Sequence, residues 1–96
     1  MANKVLVVDD SVELCNIINH VLTAKGIEVR AAGNGNAGIS LFQDFHPDVV
    51  LLDYRLPDMN GNDVARTLKA MPGGNILTII TMTGTDMNEE EQDPAL

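Results

Sequence analysis

The sequence predicts an α/β fold built on a parallel sheet, on three observations. Two short runs, Val5-Leu6-Val7-Val8 and Val49-Val50-Leu51-Leu52, are uninterrupted apolar stretches, the pattern of strands buried on both faces. Between the strand-like segments, apolar residues recur every three or four positions, as on one face of a helix. The two kinds of segment alternate as β-α-β-α-β-α-β, which implies parallel strands joined by right-handed crossovers.

The elements follow in order. The first strand, residues 5–8, ends on Asp9 and Asp10. Over residues 11–25, Val12, Leu14, Cys15, Ile17, Ile18, Val21 and Leu22 predict a helix that Gly26 ends. Residues 27–32 form a short second strand, and the Gly33-Asn34-Gly35-Asn36 stretch is a turn. A second helix, from about residue 36 to 45, turns Ile39, Leu41 and Phe42 inward and is weakened by Gly38; Pro47 stops it. The third strand, residues 49–52, again ends on an acid, Asp53. A loop with Pro57 and Gly61 leads to a third helix carrying Val64, Leu68 and Met71, capped by Asn62 or Asp63. Pro72-Gly73-Gly74 breaks it, and residues 76–82 form the fourth strand.

A chain of 96 residues allows one small domain, and 45% hydrophobic residues suffice for its core. Phe42, Phe45 and Tyr54 are its aromatic residues, so that core is aliphatic. The formal charge is −8, with 14 acidic against 6 basic residues. This balance argues against nucleic acid and anionic membranes, which both select clustered Lys and Arg. The acids fall into two groups. Asp86, Glu89, Glu90, Glu91 and Asp93 crowd the end of the chain, and residues 85–96 read as an acidic tail, either a solvated end or the start of a fourth helix. The domain proper is residues 1–84. Apolar runs of four residues are far too short to span a membrane. A single cysteine, Cys15, forms no intramolecular disulfide and suits a reducing, cytoplasmic setting; packed in the first helix, it reads as a small hydrophobe.

Chemistry concentrates at the strand ends. Open α/β sheets bind ligands at the carboxyl ends of their strands, and these ends carry Asp9 and Asp10, Asp53, and Thr83. Two unit charges about 4 Å apart repel by about 4 kcal/mol at an effective dielectric of about 20. A hard divalent cation such as Mg²⁺, which takes one or two carboxylates together with waters and a phosphate, would offset that repulsion. Asp9 and Asp10 also suit the dipole of the first helix. That reading accounts for one of them and leaves Asp53 unexplained. His20, within the first helix, and His46, before Pro47, fit no site and read as surface residues.

Four motifs in this order resemble the receiver (response-regulator) domain of two-component signalling: Val5-Leu6-Val7-Val8-Asp9-Asp10, Val49-Val50-Leu51-Leu52-Asp53, Leu56-Pro57-Asp58-Met59-Asn60-Gly61 and Ile79-Ile80-Thr81-Met82-Thr83-Gly84. The resemblance covers residues 4 to about 84. It implies a flavodoxin-like doubly wound sheet with strand order 2-1-3-4-5, and a phosphorelay function in signal transduction. Asp53 matches the phosphoacceptor, which attacks a phosphohistidine of a histidine kinase or phosphotransfer protein. Asp10 matches the acid that binds Mg²⁺ directly, and Asp9 the one that acts through water. Arg55 stands where the family offers a backbone carbonyl to the metal, and Thr83 matches the hydroxyl that hydrogen-bonds the phosphoryl group. Pro57 and Gly61 read as loop formers, and Tyr54 as part of the wall.

The family also implies a fifth strand and helix, a lysine that pairs with the phosphoryl group, and an aromatic that moves on activation. This sequence offers no candidate for them: its last lysine is Lys69 and no aromatic follows Tyr54. Four strands and three helices are therefore expected, with the fourth strand an open edge and Ile17, Ile18, Val21 and Leu22 partly uncovered. Either the chain is part of a longer protein, or it is a homo-oligomer paired through that edge and the first helix. A second functional reading follows, that of a non-relaying interaction module that docks a kinase or another receiver, or self-associates. Neither reading is an enzyme beyond autocatalytic phosphoryl transfer and autodephosphorylation. An aspartate-nucleophile phosphatase would carry an acid where Arg55 stands. Flavin or dinucleotide binding is excluded by the glycine-free, anionic turn Asp9-Asp10-Ser11.

Overall fold

A computed structural model of the chain describes residues 3–82. Seven elements alternate: β1 (Lys4–Val8), α1 (Val12–Thr23), β2 (Glu28–Ala32), α2 (Gly35–Phe45), β3 (Val49–Asp53), α3 (Gly61–Ala70) and β4 (Thr78–Met82), with a 3-10 turn at Gly74–Ile76 before the last strand. The strands form one parallel sheet in the order β2-β1-β3-β4. This is the flavodoxin-like arrangement expected, with four strands and three helices. Val8 pairs with Leu52 across the two central strands. Asp9 and Asp53, one residue further on, therefore leave the sheet side by side at its carboxyl edge.

Strand side chains alternate between the faces with a period of two. Leu6, Val8, Val50 and Leu52 point to the face covered by α2 and α3, where they form the main core with Phe42, Phe45, Val64, Leu68 and Leu77. Val5 and Val7 point to the other face and meet Cys15 of α1, with Ile18, Leu22, Ile27, Val29, Val49 and Leu51 packed around them. The apolar stripe of α1 is wider than the contact that the sheet offers. Cys15 is buried and Ile18 and Leu22 are half-buried, but Val12, Leu14, Ile17 and Val21 stay exposed, Val12 at 73% and Ile17 at 55%. No helix among the described residues is long and apolar enough to cross a membrane.

Each helix starts on a polar residue that follows a strand or its loop and whose side chain accepts a first-turn N–H. Ser11 Oγ accepts from Leu14 N at 3.1 Å, Asn34 Oδ1 from Ala37 N at 2.8 Å and Asn60 Oδ1 from Asp63 N at 2.9 Å. The third of these corrects the expectation for α3: Asn60, rather than Asn62 or Asp63, is the cap, and α3 starts two or three residues earlier, at Gly61. The reason is spatial. Gly61 lies so close to the preceding chain that a Cβ there would come within 2.8 Å of Asp53 O and 2.9 Å of Tyr54 Cα. Its N–H donates to Tyr54 O at 2.6 Å. Gly61 is thus a contact point for the backbone of Asp53 as well as a turn residue.

Two other expectations change. Ile76 belongs to the 3-10 turn and is 83% exposed, so β4 begins at Thr78. Gly38 costs α2 intrinsic propensity, yet it is buried where a Cβ would lie 2.8 Å from Val8 Cγ2. The glycine lets α2 approach β1. At its far end α2 stops on His46, which takes the left-handed conformation (φ 54°) while its N–H still reaches Phe42 O at 3.2 Å. The following Pro47 disfavours the right-handed helical conformation at that position.

Candidate functional site

The carboxyl edge gathers the three predicted acids. One carboxylate oxygen from each of Asp9, Asp10 and Asp53 lies within 4.8 Å of the others, a group able to hold a metal ion. Their environments differ. Asp9 is 6% exposed, the one buried charged side chain among the described residues. Its Oδ1 accepts from Ser11 N at 2.9 Å, its N–H donates to Ala32 O at 3.0 Å, and its carbonyl accepts from the Cys15 thiol at 3.4 Å. Asp9 is therefore locked between β2 and the first turn of α1. Asp10 is exposed and Asp53 is half-buried.

Asp53 is held by its own strand end. Arg55 N donates to its Oδ1 at 3.3 Å. Burial pushes the Asp53 carboxyl above the ordinary carboxylate range, and the charges of Asp9 and Asp10 push it further; the Arg55 and Tyr54 N–H groups oppose this. Burial raises the Cys15 thiol as well, with Asp9 and Asp10 adding to the effect, so this cysteine is held in its neutral form. A carboxylate cluster that disfavours its own ionisation is what a divalent cation with oxygen ligands would relieve. The residues present thus fit Mg²⁺: three carboxylate oxygens converge, and among the described residues no Lys or Arg side chain forms an ion pair with them.

Tyr54 and Arg55 are exposed and follow Asp53 directly. Thr83 lies outside the described residues, as does the acidic tail; Met82, the last described residue, is registered with Asp53. His20 and His46 are exposed and lie apart from the acids. A cavity of about 300 Å³ lined by Phe42, His46, Pro47 and Ile76 sits at the amino edge of the sheet, the opposite end from the carboxylates.

One residue of this region was not singled out from the sequence. Asp58, in the β3–α3 loop, reaches the start of α2 and accepts from Gly35 N at 2.7 Å and Asn36 N at 2.9 Å. Those two N–H groups hold its carboxyl below the ordinary carboxylate range. The signal was indirect. Glu13 and Asp63 supply acids to the first turns of α1 and α3, whereas α2 has none of its own.

The chain is similar to known proteins of one family. The response regulator receiver domain family matches residues 5–94, running past the last of the four motifs. The chain is 38% identical over 85 residues to the DNA-binding response regulator MtrA of Mycobacterium tuberculosis, covering 88% of this chain and 37% of MtrA. It is 38% identical over 82 residues to the regulatory protein AtoC of Escherichia coli, covering 84% of this chain and 17% of AtoC. The chain thus spans well under half the length of these curated relatives. Among solved structures, the chemotaxis protein CheY4 of Vibrio cholerae superposes with a TM-score of 0.87 at 27% identity, over 96% of this chain and 77% of that one. The response regulator TrrA of Thermotoga maritima, solved in complex with Mg²⁺-BeF, gives a TM-score of 0.81 at 25% identity, over 95% of this chain and 76% of that one.

The chain belongs to the response regulator receiver family. It is a two-component signalling module rather than an enzyme of the usual kind, and its family works with histidine kinases or phosphotransfer proteins.

Proposed function

We propose that Asp53 accepts a phosphoryl group from a phosphohistidine of a histidine kinase or phosphotransfer protein, with Mg²⁺ held by Asp10, Asp53 and the Arg55 carbonyl, and by Asp9 through water. The observation that carries this reading is the convergence of the three carboxylates within 4.8 Å at the sheet's carboxyl edge. Bound there, the cation would neutralise charge on the transferring phosphoryl oxygens. The chain's own residues do the rest. The ionised Asp53 oxygen attacks phosphorus, the phosphorus–nitrogen bond to the donor imidazole breaks, and the product is an acyl phosphate on Asp53. Asp9 stays fixed by Ser11 and Ala32 and holds negative charge where the cation is needed. Thr83 would hydrogen-bond the phosphoryl oxygens.

The working unit on this reading is residues 1–84, with residues 85–96 an acidic tail, and the setting is the cytoplasm. Self-association is supported by the exposed Ile80 of β4 and by the exposed face of α1.

The test is direct. With Mg²⁺ and a small acyl phosphate donor, the intact mass should gain one phosphoryl group that Asp53→Asn removes. Absence of the adduct, or its persistence in Asp53→Asn, overturns the phosphoacceptor reading. An adduct that forms without changing affinity for a kinase would favour a docking module over a relay.

A further inference from the structure

Asp58 has a contact pattern that loop solvation does not explain. Its side chain lies in an exposed turn, yet both carboxylate oxygens are engaged by N–H groups 23 and 22 residues away in sequence, at 2.7 and 2.9 Å. The first turn of a helix leaves its N–H groups without intrahelical partners. In α2 these groups are accounted for one by one: Gly35 N and Asn36 N donate to Asp58 and Ala37 N to the Asn34 side chain, before Gly38 N makes the first intrahelical bond, to Asn34 O. Two of the three caps therefore come from another loop. Next to it, Met59 packs so tightly on Gly35 that a Cβ there would overlap Met59 Cγ and lie 2.6 Å from Sδ. Two consecutive loop residues thus grip one glycine.

The gripped loop is the one that leaves the phosphoacceptor. It runs from Asp53 to Gly61 and closes on itself through an antiparallel bridge between Arg55 and Asn60 and through the Gly61 N–H to Tyr54 O. At its other end the clamp stands on α2, which Gly38 seats directly on Val8, the residue before Asp9. The clamp therefore ties the two strand ends of the acidic cluster to one helix. Asp53 is already placed by its strand pairing. Arg55 lies beyond the strand, where its N–H reaches Asp53 Oδ1 and its backbone bridges to Asn60, so its placement follows the loop as well as Asp53.

We infer that Asp58 is a positioning residue for the phosphoryl site: by capping α2 it holds the 54–60 loop, and with it the Arg55 carbonyl, in place for the cation. This rests on the proposed Mg²⁺ site and deepens it. Outer partners that orient metal ligands commonly matter 10- to 100-fold in metal affinity. For a clamp at the surface, Asp58→Ala should raise the half-saturating Mg²⁺ concentration by about 10-fold. Asp58→Asn, whose amide oxygen can still accept from one of the two N–H groups, should fall between Ala and the parent protein.

The experiment measures the rate of phosphoryl adduct formation from an acyl phosphate donor against Mg²⁺ concentration in the full chain, Asp58→Asn, Asp58→Ala, Gly35→Ala and the double variant Asp58→Ala/Gly35→Ala. Urea midpoints are recorded for each protein. A raised half-saturating Mg²⁺ with the rate recovered at saturation supports positioning, as does non-additivity between Asp58→Ala and Gly35→Ala, which break the same clamp from opposite sides. A lowered urea midpoint with unchanged half-saturating Mg²⁺ in the folded protein makes Asp58 a purely structural cap and overturns the inference. If the parent protein itself shows no saturable Mg²⁺ response, the phosphoryl-site reading fails and the inference goes with it; a parent that responds beside unaffected variants isolates failure to the clamp.

Discussion

On one face of the sheet, α2 and α3 bury Phe42, Phe45, Val64 and Leu68 against Leu6, Val8, Val50 and Leu52. On the other, α1 buries Cys15 and leaves Val12, Ile17 and Val21 in solvent. The same two central strands serve both faces, so the difference lies in the helices. The stabilising work falls to the α2–α3 face, and the site depends on it: Val8 and Leu52 precede Asp9 and Asp53, and the loop clamp is fixed to α2. The α1 face holds exposed apolar surface of the kind that marks contact with another surface.

The sharpest way to break the comparison is to remove equal volume from each face. Leu52→Ala, at a fully buried position, should cost about 2–5 kcal/mol. Ile17→Ala on α1 should shift stability by no more than about 0.5 kcal/mol. Urea unfolding at low protein concentration reads both. Similar losses would mean that the α1 face is sealed by contacts beyond the described residues.

Cation linkage comes next and concerns the edge that both faces share. A cation that binds the folded chain alone adds about 2.7 kcal/mol at a hundred times its Kd. Its effect should grow with pH. The Asp53 carboxyl lies above its ordinary range because of burial and the charges of Asp9 and Asp10. The folded state therefore holds that proton more tightly than the unfolded one. Asp53 favours folding below its unfolded value, and that contribution is lost as pH rises through the folded value. Mg²⁺ should offset that loss, so urea midpoints with and without it should diverge as pH rises above the unfolded aspartate value of about 3.9. Asp58 has the opposite sign: its lowered carboxyl supports folding above its unfolded value and loses this as pH falls through the folded one. A Mg²⁺ effect that is flat across this range would argue against cation binding at Asp53.

Two smaller changes sharpen the account of the packed face. Gly38→Ala should cost about 1–3 kcal/mol by pressing a methyl group on the fully buried Val8, although alanine is the better helix former. Stabilisation instead would show that α2 can retreat from β1. Asn60→Ala should cost about 1 kcal/mol through loss of the α3 cap, while Asn62→Ala, which caps nothing, should be close to neutral. Thermal or urea melts compare the pair, and equal effects would return the capping role to the residues first expected to hold it.

Much of the site was legible because its signal is local. An apolar run that ends on an acid states both the strand and the position of its carboxylate, so Asp9, Asp10 and Asp53 could be named without knowing which strands pair. Helix starts were legible to within a residue or two, since Ser11 and Asn34 are ordinary capping residues. The α3 cap was less so: Asn60, Asn62 and Asp63 are all competent, and the close approach of Gly61 to Asp53 O selects among them. Gly38 read as a weakness in the sequence for the same reason, because propensity speaks of the isolated helix and not of Val8 beneath it.

The sequence by itself determined the alternation of elements, the mainly aliphatic make-up of a core that also takes in Phe42 and Phe45, and the three acids at strand ends. These follow from side-chain periodicity and from which residue stands next to which. The tertiary structure alone decided that the acids converge within 4.8 Å, that Asp58 closes the start of a helix more than twenty residues away, and which side of α1 stays in solvent. Such contacts join segments that are distant along the chain. They exist only once the sheet order has brought one strand end beside another and one helix over a particular valine.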